Sequence, residues 1–250
     1  MGITFDMIEK MFELNILKPN CKIMDIGTSN LYLAPAKNVV NLLTKFIPYT
    51  SELDDYAARL EYGAHYDAIA GGRNISWAGD FFEKCGLSYS SIDIAKGYKT
   101  TVFDLNTEQA PQHWKDNFDL VLNFGTTEHV FNQSNAFNTI HNMTKKNAFI
   151  MHQLPISGYA DHGYFIYTTR FFVDMAYRNN YKICHVNYTS GGPISLFEYP
   201  KNVIKYHPAF EIVNALKDIT VDNYGLTIVF QKTTDDDFVY NKDLSTSVTL

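Results

Sequence analysis

Lys22-Ile23-Met24-Asp25-Ile26-Gly27-Thr28-Ser29-Asn30 reads as a short buried strand that carries an acid near its end and runs into a glycine turn. An acid at the close of a strand, followed by glycine, lets carboxylate and backbone approach a cofactor with no side chain between them. The same residues also fit an ordinary strand-to-loop turn, because glycine is common in turns. The glycine cluster of nucleotide-binding turns is reduced here, with Ser29 and Leu31 standing where further glycines are usual. The nonapeptide therefore has to be read with its surroundings.

Upstream, Ile3, Met7, Ile8, Met11, Phe12, Leu14 and Ile16 fall at helical spacing, which predicts an amphipathic helix over Ile3 to Leu17, stopped by Pro19-Asn20. Downstream, helix is predicted from Leu33 to Phe46 and again from Ser51, where Asp54 can accept from free backbone N–H groups. Gly71-Gly72-Arg73 interrupts it, and a short helix from Trp77 to Cys85 ends at Gly86. Further strands are predicted over Ser88 to Ile94, Thr100 to Asp104, Phe118 to Gly125, Asn147 to Gln153, Tyr181 to Tyr188 and Gly225 to Lys232. Helices are predicted from about Ser134 to Met143, from Thr168 or Thr169 to near Asn180, and from Pro208 to Lys217. The whole predicts an α/β fold: a mainly parallel seven-stranded sheet covered on both faces, a helical insertion at about 33–82, and ligands outside the strand carboxyl ends. One domain is expected over 1–232, followed by a mobile polar tail over 233–250.

Two further acids follow in strand order. Asp93 ends the next strand of the sheet, where a carboxylate can accept from both hydroxyls of a ribose. Its distance from the glycine turn is about three times the ~20 residues of a simple dinucleotide fold, which requires the insertion to lie between them. Asp54 and Asp55 sit in a helical pattern that faces solvent. Asp104, in Phe103-Asp104-Leu105-Asn106, can accept from an adenine amino group while Leu105 packs on the ring, and an Asx turn is the alternative. Three acids on three successive strands say more than any one of them.

Phe118-Asp119-Leu120-Val121-Leu122-Asn123-Phe124-Gly125-Thr126-Thr127-Glu128-His129-Val130 resembles the fourth strand and following turn of class I S-adenosylmethionine-dependent methyltransferases, where F-D-L-V followed by E-H-V recurs. The resemblance extends loosely from Lys22 to about Lys182. Lys145 to Ile150 is similar to the approach to the family's fifth strand, although Asn147 stands where glycine is frequent. His162-Gly163-Tyr164-Phe165 resembles a subgroup of bacterial methyltransferases, several of them associated with small-molecule or surface-glycan modification. The resemblance implies a Rossmann-like three-layer fold and S-adenosylmethionine as cofactor. It implies that Asp25 and Gly27, with Thr28 and Asn30 in the same turn, meet the methionine end. Asp93 would hold the ribose, Asp104 and Leu105 the adenine, and Asn123, Phe124 and Gly125 would line the methionine side.

Methyl transfer asks the protein to position the acceptor and, where needed, to remove its proton. His129, His152 and His162 are the candidate bases, with a helix-start role beside Glu128 as the alternative for His129. Glu128, His129, His152 and Asp161 have the chemistry of metal ligands, but no helical or short-range ligand motif joins them and no metal is assigned. Tyr159, Tyr164 and Tyr167 could wall an acceptor site or pack within a loop, and Arg170 could meet an anionic acceptor or face solvent.

Composition narrows the classes. A net charge of -6 without a long Lys/Arg run offers no footprint for nucleic acid, and no apolar stretch reaches the ~20 residues that cross a bilayer. Cys21, Cys85 and Cys184 lie far apart, which argues against disulfides and zinc and for a reducing cytoplasm. The first residues do not read as a signal peptide. The expected activity is O-methylation of a small polar metabolite such as a sugar, nucleotide-linked sugar or capsule precursor in surface polysaccharide biosynthesis. The inserted helices could set acceptor choice or a homo-oligomer interface. The alternatives are an NAD-dependent oxidoreductase, against which the missing G-x-G-x-x-G counts, and a non-catalytic module that binds S-adenosylmethionine.

Overall fold

In the computed structural model the described residues are 2–70, 74–159, 162–195 and 220–241. Strand β1 (Gly2–Thr4) leads into helix α1 (Phe5–Glu13), followed by β2 (Lys22–Ile26), β3 (Asn30–Tyr32), α2 (Ala36–Leu43), α3 (Ser51–Ala70) and α4 (Ala78–Lys84). Then come β4 (Ser88–Asp93), β5 (Thr100–Val102), β6 (Phe118–Phe124), α5 (Gln133–Met143), β7 (Thr144–Ser157), α6 (Thr169–Arg178), β8 (Tyr181–Ser195) and β9 (Thr220–Lys232).

Local chemistry sets several boundaries. Helix α1 buries Phe5, Ile8 and Met11 on one face and stops before the predicted Leu17, because Asn15 turns left-handed at φ 55°. The Ile16 N–H then reaches back to the Met11 carbonyl at 3.1 Å, closing the helix end. The side chains of Asn132 and Thr168 cap α5 and α6 by accepting from the Asn135 and Phe171 amides. Asn147 adopts φ 63°, which accounts for asparagine at a place where glycine is frequent.

Seven strands form one sheet in the order β5-β4-β2-β6-β7-β9-β8. β9 runs antiparallel to both of its neighbours, and the other described pairs in this sheet are parallel. β1 and β3 make a separate parallel pair that the sequence pattern did not announce, since three-residue strands carry no periodicity. Along β2, Ile23 joins a core with Phe5, Ile8, Val39, Leu53, Phe81 and Phe82. Its neighbour Met24 joins the opposite core with Phe137, Ile140, Phe172 and Phe230. This period-2 alternation puts α1 to α4, the insertion included, on one face and α5 and α6 on the other.

The predicted mobile tail is corrected over 233–241. The His141 ring nitrogen Nε2 meets the Asp236 carbonyl at 2.8 Å, and Asn179 exchanges two hydrogen bonds with the Val239 backbone. Phe238 packs on the second core. Polar composition suggested solvent, but the Asp236 carbonyl and the Val239 backbone bond to α5 and the end of α6. The helix predicted from Pro208 to Lys217, the Gly71-Gly72-Arg73 break and residues 242–250 lie outside the described residues.

Candidate functional site

The strand order reverses at β2 and β6, the place where open α/β sheets bind ligands beyond their carboxyl ends. Ile26 pairs with Ile92 on one side and Asn123 on the other, so Gly27, Asp93 and Phe124 emerge along one edge. Gly27 turns at φ 96° and Gly125 at φ 72°, their amides donating to the Ile92 and Gln153 carbonyls. Left-handed φ values favour glycine, with asparagine and aspartate the usual exceptions.

Two cavities open on this edge. The first, about 390 Å³, is walled by Ile92, Ile94, Phe103, Leu105 and Val130, with Asp93, Asp104, Asn106, Thr126 and His129 at its rim. The Asp93 Oδ1 accepts from the Ala95 amide at 3.0 Å, and among the described residues Oδ2 accepts no hydrogen bond. Asp104 closes an Asx turn, accepting from the Asn106 amide and side chain and from the Thr107 hydroxyl. These bonds, the Asn106 amide foremost, hold its carboxyl below the usual range. The Asx-turn reading of Asp104 is thus the one observed, and the same residue lines the cavity.

The second cavity, about 250 Å³, is bounded by Phe124, Gly125, Glu128, Gln153, Tyr159 and His162, with Gly2, Thr4, Thr189 and Gly225 contributed by strands far away in sequence. Nothing local in the sequence marks those last four. A separate hollow among Ile16, Pro19, Cys21, Asp119 and Phe149 lies at the opposite edge, where the strands begin.

Several expected site residues face inward. Asp25 is fully buried, accepting from the Ser29 amide at 2.8 Å, the Ser29 hydroxyl at 3.2 Å and the Tyr89 hydroxyl at 2.7 Å. Burial raises its pKa against the pull of those bonds. Its carboxylate fastens the glycine turn from beneath. The Thr28 hydroxyl closes a triangle with those of Ser91 and Thr100, and Asn30 ties β3 to the Asn74 and Ser76 carbonyls. The Asn123 amide nitrogen donates to the Thr127 hydroxyl and meets the Nδ1 of His152 at 3.0 Å.

His152 requires a correction as a candidate base. Its ring is 1% exposed and is enclosed by Phe137, Phe172 and Phe230. Desolvation drives its pKa down to about 3, so it is a core histidine out of reach of an acceptor. Tyr167 is likewise a core residue among Phe137, Phe171 and Phe172, its hydroxyl donating to Gln133. Tyr164 is exposed and Arg170 pairs with Asp174 one turn along α6.

His129 and His162 do come together. Their Nε2 atoms are 3.3 Å apart, and the His162 Nε2 is 3.6 Å from the Oε1 of buried Glu128. Partial desolvation lowers the His129 pKa; Glu128 opposes this and His162 reinforces it. The loop carrying His162 is clasped to the turn carrying Glu128, the amides of Tyr164 and Phe165 donating to the Glu128 carbonyl at 2.7 and 3.1 Å. Gly163, at φ 75°, allows this approach: a Cβ there would lie 2.9 Å from the Glu128 Cγ and carbonyl oxygen. Asp161 lies outside the described residues.

No family model and no curated sequence matches the chain. Among solved structures, a Bacillus halodurans C-125 protein described as a candidate methyltransferase superposes with a TM-score of 0.52 at 10% identity, over 91% of this chain and 99% of its own. An S-adenosylmethionine-dependent methyltransferase from Archaeoglobus fulgidus gives 0.45 at 11% identity, over 91% and 93%. The first of these likenesses establishes a Rossmann-like α/β fold, as the sequence led one to expect.

Proposed function

We propose that this chain is an S-adenosylmethionine-dependent methyltransferase that modifies an oxygen of a small polar metabolite, a sugar or sugar derivative being the leading class. The carrying observation is the first cavity. Its volume falls within the ~300–1,000 Å³ of small-ligand sites, its apolar walls suit a purine, and the free oxygen of Asp93 at the rim suits a ribose. When bound, the cofactor supplies an electrophilic methyl group on a cationic sulfur.

The residues divide the remaining work. Leu105, Ile94 and Val130 would sandwich the base, Asp93 would hold the ribose, and the backbone at Gly27 and Gly125 would leave room for the methionine end. Asp25 acts through the turn it fastens and is a positioning residue. The second cavity admits a small acceptor beside that end, and the Glu128, His129 and His162 cluster supplies the groups that can deal with its proton.

The oxidoreductase alternative asks for a pyrophosphate site at a helix N-terminus directly after the glycine turn. Here the turn runs into β3, and α2 starts only at Ala36. The Thr28 hydroxyl is committed inward as well. A passive binding module would not call for histidines and a buried carboxylate beside a second cavity.

Thermal unfolding with S-adenosylhomocysteine or NAD separates these readings, since a ligand that prefers the native state raises its stability. The expected result is a rise in Tm with S-adenosylhomocysteine and none with NAD; stabilisation by NAD alone would overturn the proposal. Asp93→Ala should weaken S-adenosylhomocysteine binding about 10- to 100-fold, as loss of charge-assisted hydrogen bonds does. Isothermal calorimetry reads this directly, and unchanged affinity would reassign the ribose contact.

A further inference from the structure

We infer that Glu128, His129 and His162 form a binding site for a divalent transition-metal ion at the junction of the two cavities. One ligand atom from each of the three lies within 4.8 Å of the others. The 3.3 Å between the two Nε2 atoms matches the separation of two imidazole nitrogens that each sit ~2.0 Å from one tetrahedral ion. The 3.6 Å from the His162 Nε2 to the Glu128 Oε1 needs only a small closing movement.

Glu128 provides an independent observation. Its side chain is 1% exposed, and among the described residues its buried Oε2 has no hydrogen-bond partner. A carboxylate oxygen left without a donor is expensive in a protein interior, and a cation held by the same carboxylate, whose Oε1 faces His162, would offset that cost. The backbone clasp from Tyr164 and Phe165 onto the Glu128 carbonyl, permitted by Gly163, presets the distance between the two segments. Two imidazoles and one carboxylate suit zinc, cobalt, nickel, iron(II) or manganese and disfavour calcium and magnesium, which prefer all-oxygen shells.

Three protein ligands leave at least one coordination position open, the mark of a site that takes water or substrate. His129 borders the first cavity, and Glu128 and His162 border the second. The open position would thus take an acceptor oxygen, which rests on the methyltransferase reading of those cavities. With the ion in place the three side chains are ligands instead of bases, and the acceptor hydroxyl loses its proton to solvent because the cation stabilises the resulting oxyanion.

The test uses Co²⁺ on chelator-treated protein, followed by visible absorption, with S-adenosylhomocysteine titrated separately by calorimetry. The expected result is one equivalent of Co²⁺ with a d–d spectrum, displaced by Zn²⁺, and affinity reduced at least 10-fold in His162→Ala and in Glu128→Gln. Glu128→Gln keeps the shape of a buried side chain and guards against simple unfolding. No binding at millimolar Co²⁺, or equal binding by both variants, would overturn the inference. Co²⁺ binding without S-adenosylhomocysteine binding would keep the metal site and remove its acceptor role, whereas the converse would keep the cofactor and remove the metal.

Discussion

Asp25 shows how one buried side chain can govern a site it does not border. Its carboxylate gathers the Ser29 amide and the hydroxyls of Ser29 and Tyr89 under the glycine turn. Asp25→Ala would leave those donors buried without an acceptor, and a destabilisation of about 2–4 kcal/mol is expected by urea unfolding. Asp25→Asn, which retains one acceptor and removes a buried charge, should cost less than half as much. Equal losses would mean that side-chain volume, not hydrogen bonding, holds the turn. Asp25, Asn123 and His152 were placed on the correct strands by sequence, yet were expected at the cavity. Asn123 and His152 pair with each other and with a second strand each, and both are buried. Asp93 is the last paired residue of β4 and reaches the rim. What decides is how near the strand end a side chain sits and which way it faces in the sheet, and one sequence displays neither.

At the level of elements, the strands and most helices were legible because their apolar periods are long and interrupted by glycine, proline or asparagine. What escaped were β1 and β3, the added length of β7, β8 and β9, and the docking of 233–241, all of which depend on partners distant in sequence. The last makes a prediction. Phe238 packs against the His141 ring with centroids 5.5 Å apart, so Phe238→Ala should destabilise by about 1–3 kcal/mol. Amide exchange at Val239, whose N–H donates to Asn179, should accelerate in the same variant. Unchanged exchange would show that the segment is held by its backbone bonds alone.

For the whole molecule, two buried histidines set a pH response. Desolvation lowers His141 to about 4, with Lys232 adding to it, and His152 to about 3, both from an ordinary value of 6.5. The unfolded chain binds more protons than the native one between those values, so stability rises with pH there and is lost as pH falls from about 6.5 toward 4. Each histidine contributes a slope of up to about 1.4 kcal/mol per pH unit. Asp25, whose pKa moves up, works in the opposite sense above the usual carboxylate range and makes the net slope smaller. Urea unfolding at several pH values should show the trend, and His152→Gln should flatten it. An unaltered slope would place the acid sensitivity elsewhere.

Gly163 carries a consequence for how freely this sequence can vary. If all twenty residues were offered at that position and survivors selected by turnover, the φ of 75° and the 2.9 Å approach to Glu128 should leave glycine nearly alone. The neighbouring Tyr164, exposed at 73%, should accept a broad range. A reader of such a library would see one intolerant position beside a permissive one and could recover, from survival counts alone, where two segments of the chain touch.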